Sequence, residues 1–597
     1  MQLVDWLIVL GYLAATLVLG LLLSRRAAGS LTDFFVSGRQ LPWWLAGTSM
    51  AATTFSIDTP LYIAGVVGTR GITGNWEWWS FGVAHVVMVY LFARPWRRSE
   101  IITDAELTEL RYGGRPASVL RMTKAFLFAV PINCIGIGYA MLAMVKVVDA
   151  LELWQSVGLD PGESGKVFSV IAVSLLVLLY AGFSGLWGVV ATDFLQFGLA
   201  LVGAIAVAVI AVHHVGGMAP LVQQAQAATD YDVLSFFPLQ VTDRAPWLGW
   251  SETAGISVST FFAYVFVQWW AFRRSDGGGE FVQRLAAAKT EAEAERAAWL
   301  FNGLHYVVRT WPWVVVALAA VVIYPDLADR ELGYPKLMLD FLPPVLLGIV
   351  VASLVAAFMS TVSTLINWGA SYITNDLYAR FIRPRATQAE LVVAGRLASV
   401  GVTLLGAIAA FVAQDVTTVF RLVIAIGTGP GLVLILRWLW WRINAPAELA
   451  AMVAGFLIGL ATSVVPIVQI ADFGWRLTVT SLLTAAIWIT VMLLTPPESP
   501  EVLESFYRLI RPPGPGWQPQ RQQTGLLPAQ SLGNSLRCIV AGVLLLFGSM
   551  FALGGFLLLQ PLTGWMALAV AAVAGVWLRQ LSRRQKSATP PPPPAGR

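Results

Sequence analysis

Hydrophobic residues run in long blocks along this chain, and polar residues gather in the shorter segments between the blocks. The block 343–378 is long enough to cross a bilayer as a helix. Small and hydroxyl residues recur in it at helical spacing and share one face: Ser353, Ala357, Ser360, Thr361, Thr364, Asn367, Ser371 and Thr374. Hydroxyl and carbonyl oxygens are what Na⁺ needs when it sheds water inside a membrane. Small polar residues also let helices pack closely, so the pattern alone leaves both readings open.

Similar blocks along the rest of the chain predict about fifteen membrane spans. They lie near 4–23, 32–68, 75–95, 118–148, 166–187, 189–213, 251–272, 298–324, 343–375, 389–413, 416–441, 445–467, 473–495, 537–559 and 563–580. With the N-terminus outside, alternation of these spans places nearly every arginine-rich loop in the cytoplasm, which is the usual charge bias. We therefore expect a multi-pass protein of the plasma or inner membrane, with a cytoplasmic C-terminus.

Composition supports a membrane protein and excludes several other classes. Of the 597 residues 57% are hydrophobic and 12% charged, and mean hydropathy is +0.70; a soluble protein carries about twice this charge fraction. The net charge of +5 comes mostly from loops on one side, so we expect no nucleic-acid partner. Two cysteines and four histidines stand at no metal-ligand spacing. The spans hold no nucleophile–base motif, so we expect no enzyme.

The second block contains a feature that breaks helices. Asp58 is followed by Pro60, and proline cannot donate a hydrogen bond to the carbonyl of Ser56. Irregular backbone at membrane depth survives where it lines a site or a cavity. A simple kink is the alternative interpretation.

Several stretches resemble the sodium:solute symporter family, which includes bacterial proline, galactose and sialic acid symporters and the sodium/glucose cotransporters. AAFMSTVSTLINWGASYITNDLY, within 343–378, resembles its eighth core helix, and LPWWLAGTSMAATTF, starting at Leu41, resembles its first. VQRLAAAK, within 273–297, resembles a loop motif of the family. The resemblance covers about 30–495. It implies an all-α LeuT-like core of two inverted five-helix repeats, with additional N- and C-terminal helices.

The resemblance and the block pattern together predict six segments. They are an N-terminal helix at 1–31, the ten-helix transport core at 32–441, two further helices at 442–495, a cytoplasmic Pro/Gly-rich linker at 496–534, a C-terminal hairpin at 535–582 and a disordered basic and proline-rich tail at 583–597.

The resemblance also implies a sodium site built from uncharged oxygens. Its ligands are the backbone carbonyls of Ala52, Phe55 and Ala357 and the hydroxyls of Ser360 and Thr361. Such a set suits a reversible Na⁺ site better than a divalent one.

An acid within a span extends this expectation to a second ion. By the same resemblance Asp193 joins hydroxyls at Ser360, Ser363 and Thr364, either as a second sodium site or as a station on the exit path of the ion. The expected coupling ion is therefore Na⁺, one or two per cycle.

The resemblance gives a partial match on the solute side. Glu77 and Ser80 match residues that bind sugar hydroxyls, and His305 and Thr59 fall at solute-contacting positions. Arg309 lies one turn after His305 and is either functional or the buried partner of Glu77. The predicted solute site comprises Asp58, Thr59, Glu77, Ser80, His305 and Arg309.

These features predict a sodium-coupled symporter that moves a small polar solute by alternating access, with a sugar or polyol favoured. One alternative is a sodium-coupled symporter of amino acids or carboxylates. The other is a proton-coupled transporter of the same fold, in which Asp58 or Asp193 carries the proton. The expected partners are the solute, sodium ions and the lipid bilayer, with no obligatory protein partner.

Overall fold

A computed structural model of the chain describes residues 1–24, 30–160, 162–181, 185–241, 248–413 and 415–588. Within them the only sheet is a small antiparallel pair, β1 (Leu239–Val241) and β2 (Leu248–Trp250), in the predicted external connection. The proline run at 590–594 lies outside the described residues.

Helices long and apolar enough to cross a membrane number nine among the described residues, or ten when one bent pair counts as a single span. Shorter or interrupted helical segments occupy the other five predicted positions: 3–24, 76–98, 165–181, 258–271 and 416–439. All fifteen predicted spans thus coincide with helical segments.

The described chain up to residue 227 contains fourteen α-helices. They are α1 (Leu3–Ser24), α2 (Leu31–Val36), α3 (Trp43–Thr53), α4 (Asp58–Arg70), α5 (Trp76–Trp79), α6 (Phe81–Val87), α7 (Ala93–Arg98), α8 (Leu107–Arg111), α9 (Gly114–Leu127), α10 (Asn133–Ala150), α11 (Leu153–Ser156), α12 (Gly165–Ala181), α13 (Gly185–Val215) and α14 (Met218–Ala227). π-Helical turns join α6 to α7 and α9 to α10. The second of these turns contains Pro131, whose missing N–H the wider turn accommodates.

The described chain from residue 258 onward contains sixteen more. They are α15 (Val258–Ala263), α16 (Trp269–Ala271), α17 (Glu280–Ala287), α18 (Glu291–Asn302), α19 (Thr310–Ile323), α20 (Gly333–Phe341), α21 (Leu346–Ser371), α22 (Gln388–Val412), α23 (Val416–Gly427), α24 (Gly431–Leu439), α25 (Ala445–Val464), α26 (Phe473–Leu494), α27 (Pro500–Ile510), α28 (Gln518–Thr524), α29 (Leu532–Leu557) and α30 (Pro561–Ala588). π-Helical turns join α15 to α16 and α18 to α19, and a π-helical stretch extends α21 to Ile382.

Helix α21 lies at the centre of the bundle. Its most apolar window is 94% buried by the rest of the protein, whereas that of α30 is 17% buried. A central helix needs small residues so that its neighbours can approach, and α21 carries them on the face noted above. The outer helices instead present large apolar side chains to lipid.

The segments predicted to be cytoplasmic meet at one end of the bundle. The Arg111 guanidinium donates to the carbonyl of Arg437 at 2.8 Å, and the Trp517 indole donates to the carbonyl of Trp438 at 2.9 Å. The segment 496–534 contains α27 and α28. Through contacts such as that of Trp517, this segment packs on the loops of the core. The six segment boundaries stay predictions.

Candidate functional site

The span formed by α3 and α4 is broken in the middle. Helix α3 ends at Thr53, α4 begins at Asp58, and their axes differ by 55°. In the break the carbonyl of Ser56 accepts the N–H of Thr59 at 3.1 Å, because Pro60 has none to give. The last turn of α3 has no following turn of its own helix to satisfy its carbonyls.

Helix α21 meets this break with a hydroxyl. Thr361 Oγ1 donates to the carbonyl of Thr53 at 2.8 Å. In the chain, Ala52 lies directly before Thr53 and Phe55 lies two residues after it. Ala357 lies one turn before Thr361 on α21. The carbonyl of Ala52 accepts the N–H of Phe55 at 2.9 Å, and the hydroxyl of Ser360 donates to Asp193 at 2.6 Å. Among the predicted sodium ligands, Thr361 is thus the one whose side chain bonds to the broken span, and the full ligand set stays a prediction.

Asp193 of α13 lies in a second, fully buried cluster. Its carboxylate accepts hydrogen bonds from Ser360 at 2.6 Å and from Ser49 at 2.5 Å. The Arg284 guanidinium lies 3.8 Å from the same carboxylate and donates to Thr364 Oγ1 at 2.6 Å. The structure brings Asp193, Ser360 and Thr364 together as the sequence predicts, and adds Ser49 and Arg284.

Arg284 places a fixed positive charge in this cluster. A nearby cation offsets part of the cost of burying the carboxylate of Asp193. The remaining predicted member, Ser363, donates to the carbonyl of Ser360 at 3.2 Å, so its hydroxyl serves its own helix. A sodium ion bound in this cluster would share it with the guanidinium of Arg284.

A cavity of about 190 Å³ lies beside the broken span. Asp58, Thr59, His305 and Arg309, four residues of the predicted solute site, line it. Thr361 lines the same cavity and also bonds to the end of α3. The predicted ion junction and the cavity therefore share a wall.

Hydrogen bonds fix the orientation of His305 and Arg309 on the wall of this cavity. Arg309 donates to His305 Nε2 at 3.2 Å and to the carbonyl of Ala51 at 3.3 Å. His305 Nδ1 lies 2.8 Å from Thr54 Oγ1. Because Nε2 accepts from Arg309, Nδ1 carries the proton and donates to Thr54, which makes the imidazole neutral.

A family model described as the sodium:solute symporter family matches residues 34–455, which is most of the chain. The chain belongs to the sodium:solute symporter family. It is a Na⁺-coupled symporter of a small solute and not an enzyme, as the sequence predicts.

Known relatives of this symporter share a low identity with it over most of their length. The sodium/glucose cotransporter 1 of Oryctolagus cuniculus is 23% identical over 478 residues, covering 72% of this chain and 67% of the relative. The sodium/glucose cotransporter of Vibrio parahaemolyticus is 26% identical over 422 residues, covering 66% and 73%. A Na⁺-coupled sialic acid symporter, solved substrate-bound and outward-open, superposes with a TM-score of 0.66 at 19% identity, covering 83% of this chain and 99% of that one. Its LeuT-like fold confirms the predicted fold class.

Glu77 of the symporter has partners that the sequence did not indicate. Its carboxylate binds Arg421 at 2.9 Å and Arg70 at 3.2 Å. The suggested pair with Arg309 is therefore wrong, because hydropathy assigns a residue to a span but does not indicate which helix faces α5. Within the part of the chain that is described, neither Glu77 nor Ser80 lines the cavity. Their contact with solute stays a prediction that this geometry does not support.

Sequence reasoning missed several residues of the symporter's buried polar clusters, among them Arg421, Arg284 and Ser49. Arg421 is a lone arginine in an apolar block, and the rule that intramembrane charges are functional would have singled it out. Arg284 lies in the VQRLAAAK motif, which was assigned to a cytoplasmic loop, yet its side chain reaches α13 and α21. Ser49 gave no sign in the sequence beyond its small size.

Proposed function

We propose that this symporter couples inward Na⁺ movement to the uptake of a small polyhydroxylated solute, a sugar or polyol, by alternating access. The observation that carries the proposal is the position of Thr361, which bonds to the end of α3 and also lines the cavity. An ion held there stabilises the junction that shapes the solute site, so each ligand raises the affinity for the other.

The lining of the cavity and the identity of the relatives support this solute class. Trp78, Tyr139, Trp269 and Tyr306 line the cavity beside Asn133. Aromatic faces combined with a few hydrogen-bonding groups are typical of sites for small hydroxylated ligands. Curated relatives include sodium/glucose and sodium/myo-inositol cotransporters.

Uptake by the reconstituted full chain tests the proposal directly. Proteoliposomes with an inward Na⁺ gradient are offered radiolabelled sugars, polyols, amino acids and carboxylates, with K⁺ replacing Na⁺ as the control. We expect accumulation of at least one hydroxylated solute that requires Na⁺ and is matched by uptake of labelled Na⁺. Accumulation that follows a proton gradient and ignores Na⁺ would contradict it.

Thr361→Ala is expected to weaken Na⁺ binding by about 1–2 kcal/mol, because the ion loses one neutral oxygen ligand. Ser360→Ala should do likewise. Equilibrium binding of labelled Na⁺ to the purified protein measures the change.

The matched control for these variants is Ser353→Ala, about two turns earlier on the same helix. Ser353 is buried, and its hydroxyl donates only to the carbonyl of Val350, at 2.7 Å, among the described residues. Equal Na⁺ affinity in Thr361→Ala, Ser360→Ala and Ser353→Ala would exclude the proposed site.

For the Asp193 cluster we propose a role on the exit path of the ion. Arg284 already compensates the carboxylate, so sodium that arrives there meets a fixed cation and is held only transiently. One sodium ion at the Thr361 junction then accounts for coupling.

We propose that the N-terminus lies outside and the C-terminus in the cytoplasm. Asp230→Cys, at an exposed position of the predicted external loop, should react with an impermeant maleimide on intact cells. Lys289→Cys, exposed at the other end of the bundle, should react only after permeabilisation. The native Cys134 and Cys538 are buried and give a low background. The reverse labelling pattern would invert the orientation.

A further inference from the structure

Among the charged side chains that line the solute cavity, guanidinium groups outnumber carboxylates. Five ionisable carboxyl and guanidinium groups line it: Asp58, Arg273, Arg274, Glu280 and Arg309. Arg274 and Glu280 form an ion pair. Two guanidinium groups and one carboxylate remain, so the cavity carries an excess of positive charge.

Arg309 is held entirely by neutral acceptors. It donates to the carbonyls of His305 and Ala51 and to His305 Nε2, at 3.2, 3.3 and 3.2 Å. Its guanidinium also lies over the rings of Phe55 and Trp313. Across the described residues no carboxylate lies within ion-pair distance of it, although its side chain is 2% exposed. Of its five N–H donors, three are used and two remain for a ligand.

Arg273 and Asp58 also have polar atoms that lack a hydrogen-bond partner among the described residues. Arg273 Nε and Nη1 have no hydrogen-bond partner among the described residues, and the guanidinium lies over the rings of Phe128, Trp368 and Phe272. Asp58 Oδ1 is buried and has no donor within hydrogen-bond distance among the described residues, although the hydroxyls of Ser56 and Tyr139 lie near its carboxyl group. Burying a charge without a counter-charge or hydrogen bonds costs free energy. A ligand that brings an anionic group to the arginines and hydrogen-bond donors to Asp58 would lower that cost.

We propose that the transported solute carries a carboxylate, bound by Arg309, together with hydroxyl or ammonium donors that face Asp58. Arg309 is oriented before the solute arrives, and a planar guanidinium with two free donors suits a carboxylate. A neutral sugar gives the arginines no counter-charge. This inference rests on the proposed sodium-coupled symport. It narrows the polyhydroxylated solute to one that carries a carboxylate, such as a sugar acid, and the test includes amino acids as the other source of a carboxylate.

Matched pairs of compounds that differ in one carboxylate test it. Thermal shifts and Na⁺-driven uptake are measured on the full chain with glucuronate against glucose, galacturonate against galactose, gluconate against glucitol, and amino acids against the corresponding amines. We expect an acid of at least one pair to bind about tenfold or more tightly than its neutral or decarboxylated partner in Na⁺. The sugar and amino-acid arms distinguish the two sources of the carboxylate.

Variants then assign the preference to Arg309. Arg309→Gln should lose about tenfold or more of the affinity for the acid and little of that for its partner, while labelled Na⁺ still binds. Arg309→Lys keeps the charge and should retain part of the preference. Arg296→Gln, at a 63% exposed position on α18, is the matched control and should change nothing.

Each outcome decides the inference. A neutral member bound as tightly as its acid, or a panel in which no carboxylate binds, overturns it. Neutral solutes taken up with Na⁺ would leave the symport proposal standing, whereas solute uptake that ignores Na⁺ would remove coupling itself. If Arg309→Gln does not fold, the wild-type pairs and Arg309→Lys still give the answer.

Discussion

Arg437→Gln is expected to destabilise the symporter by about 3–5 kcal/mol, the range for removing one member of a buried ion pair. Arg437 binds Asp276 at 2.7 Å and Glu448 at 2.8 Å, and all three side chains are at most 1% exposed. Its loss leaves Asp276 with the Trp438 indole, at 3.0 Å, as its remaining side-chain donor among the described residues.

Unfolding of the purified protein in mixed detergent and SDS micelles, followed by tryptophan fluorescence, measures this change. Arg508→Gln is the control, because Arg508 forms an exposed pair with Glu504 whose loss costs at most about 1 kcal/mol. The double variant Asp276→Asn/Arg437→Gln should lose less unfolding free energy than the two single variants lose together. If Arg437→Gln lowers the free energy of unfolding no more than Arg508→Gln does, the ion pairs of Arg437 with Asp276 and Glu448 do not stabilise the fold.

Glu77→Gln is expected to lower the free energy of unfolding by about 2–4 kcal/mol. This is somewhat less than the loss for a fully buried ion pair, because Arg70 and Arg421, the partners of Glu77, reach solvent. Arg70 and Arg421 are each 23% exposed, whereas Glu77 is fully buried between them. The same unfolding measurement applies, and Glu504→Gln is the exposed control.

A second variant separates structure from solute binding at this position. Adding Arg421→Gln removes one of the stranded cations and should restore part of the lost stability. A Glu77→Gln protein that is as stable as wild type, binds Na⁺ and has lost its solute would show that Glu77 contacts solute instead.

The sequence was most informative where the physics is local. A span needs about twenty apolar residues in a row, and this requirement placed all fifteen predicted spans on helical segments of the described chain. The interruption at Asp58 and Pro60 is equally local, since a missing N–H breaks the helix wherever it occurs. The hydroxyl face of α21 could be read from spacing, and its assignment to sodium required the resemblance.

Partner choice among buried charges was beyond the sequence. Glu77 binds Arg421 from 344 positions away, and nothing in either segment indicates the other. Asp193 similarly gains Ser49 and Arg284 from two other segments. In a low-dielectric interior each buried charge needs a counter-charge or several hydrogen bonds. That requirement predicts that partners exist, and only the packing of distant helices decides which side chains they are.

The sequence by itself thus determined the spans, the broken helix and the oxygen-rich face of α21, because hydropathy, proline geometry and helical periodicity act within one segment. Tertiary structure decided that Thr361 joins α21 to the end of α3 and that Arg284 shares the Asp193 cluster. It also decided that Arg309 lines the cavity with no carboxylate of the described residues within ion-pair distance. These contacts depend on the distances between helices that are remote in the chain, and no pattern within a single helix encodes them.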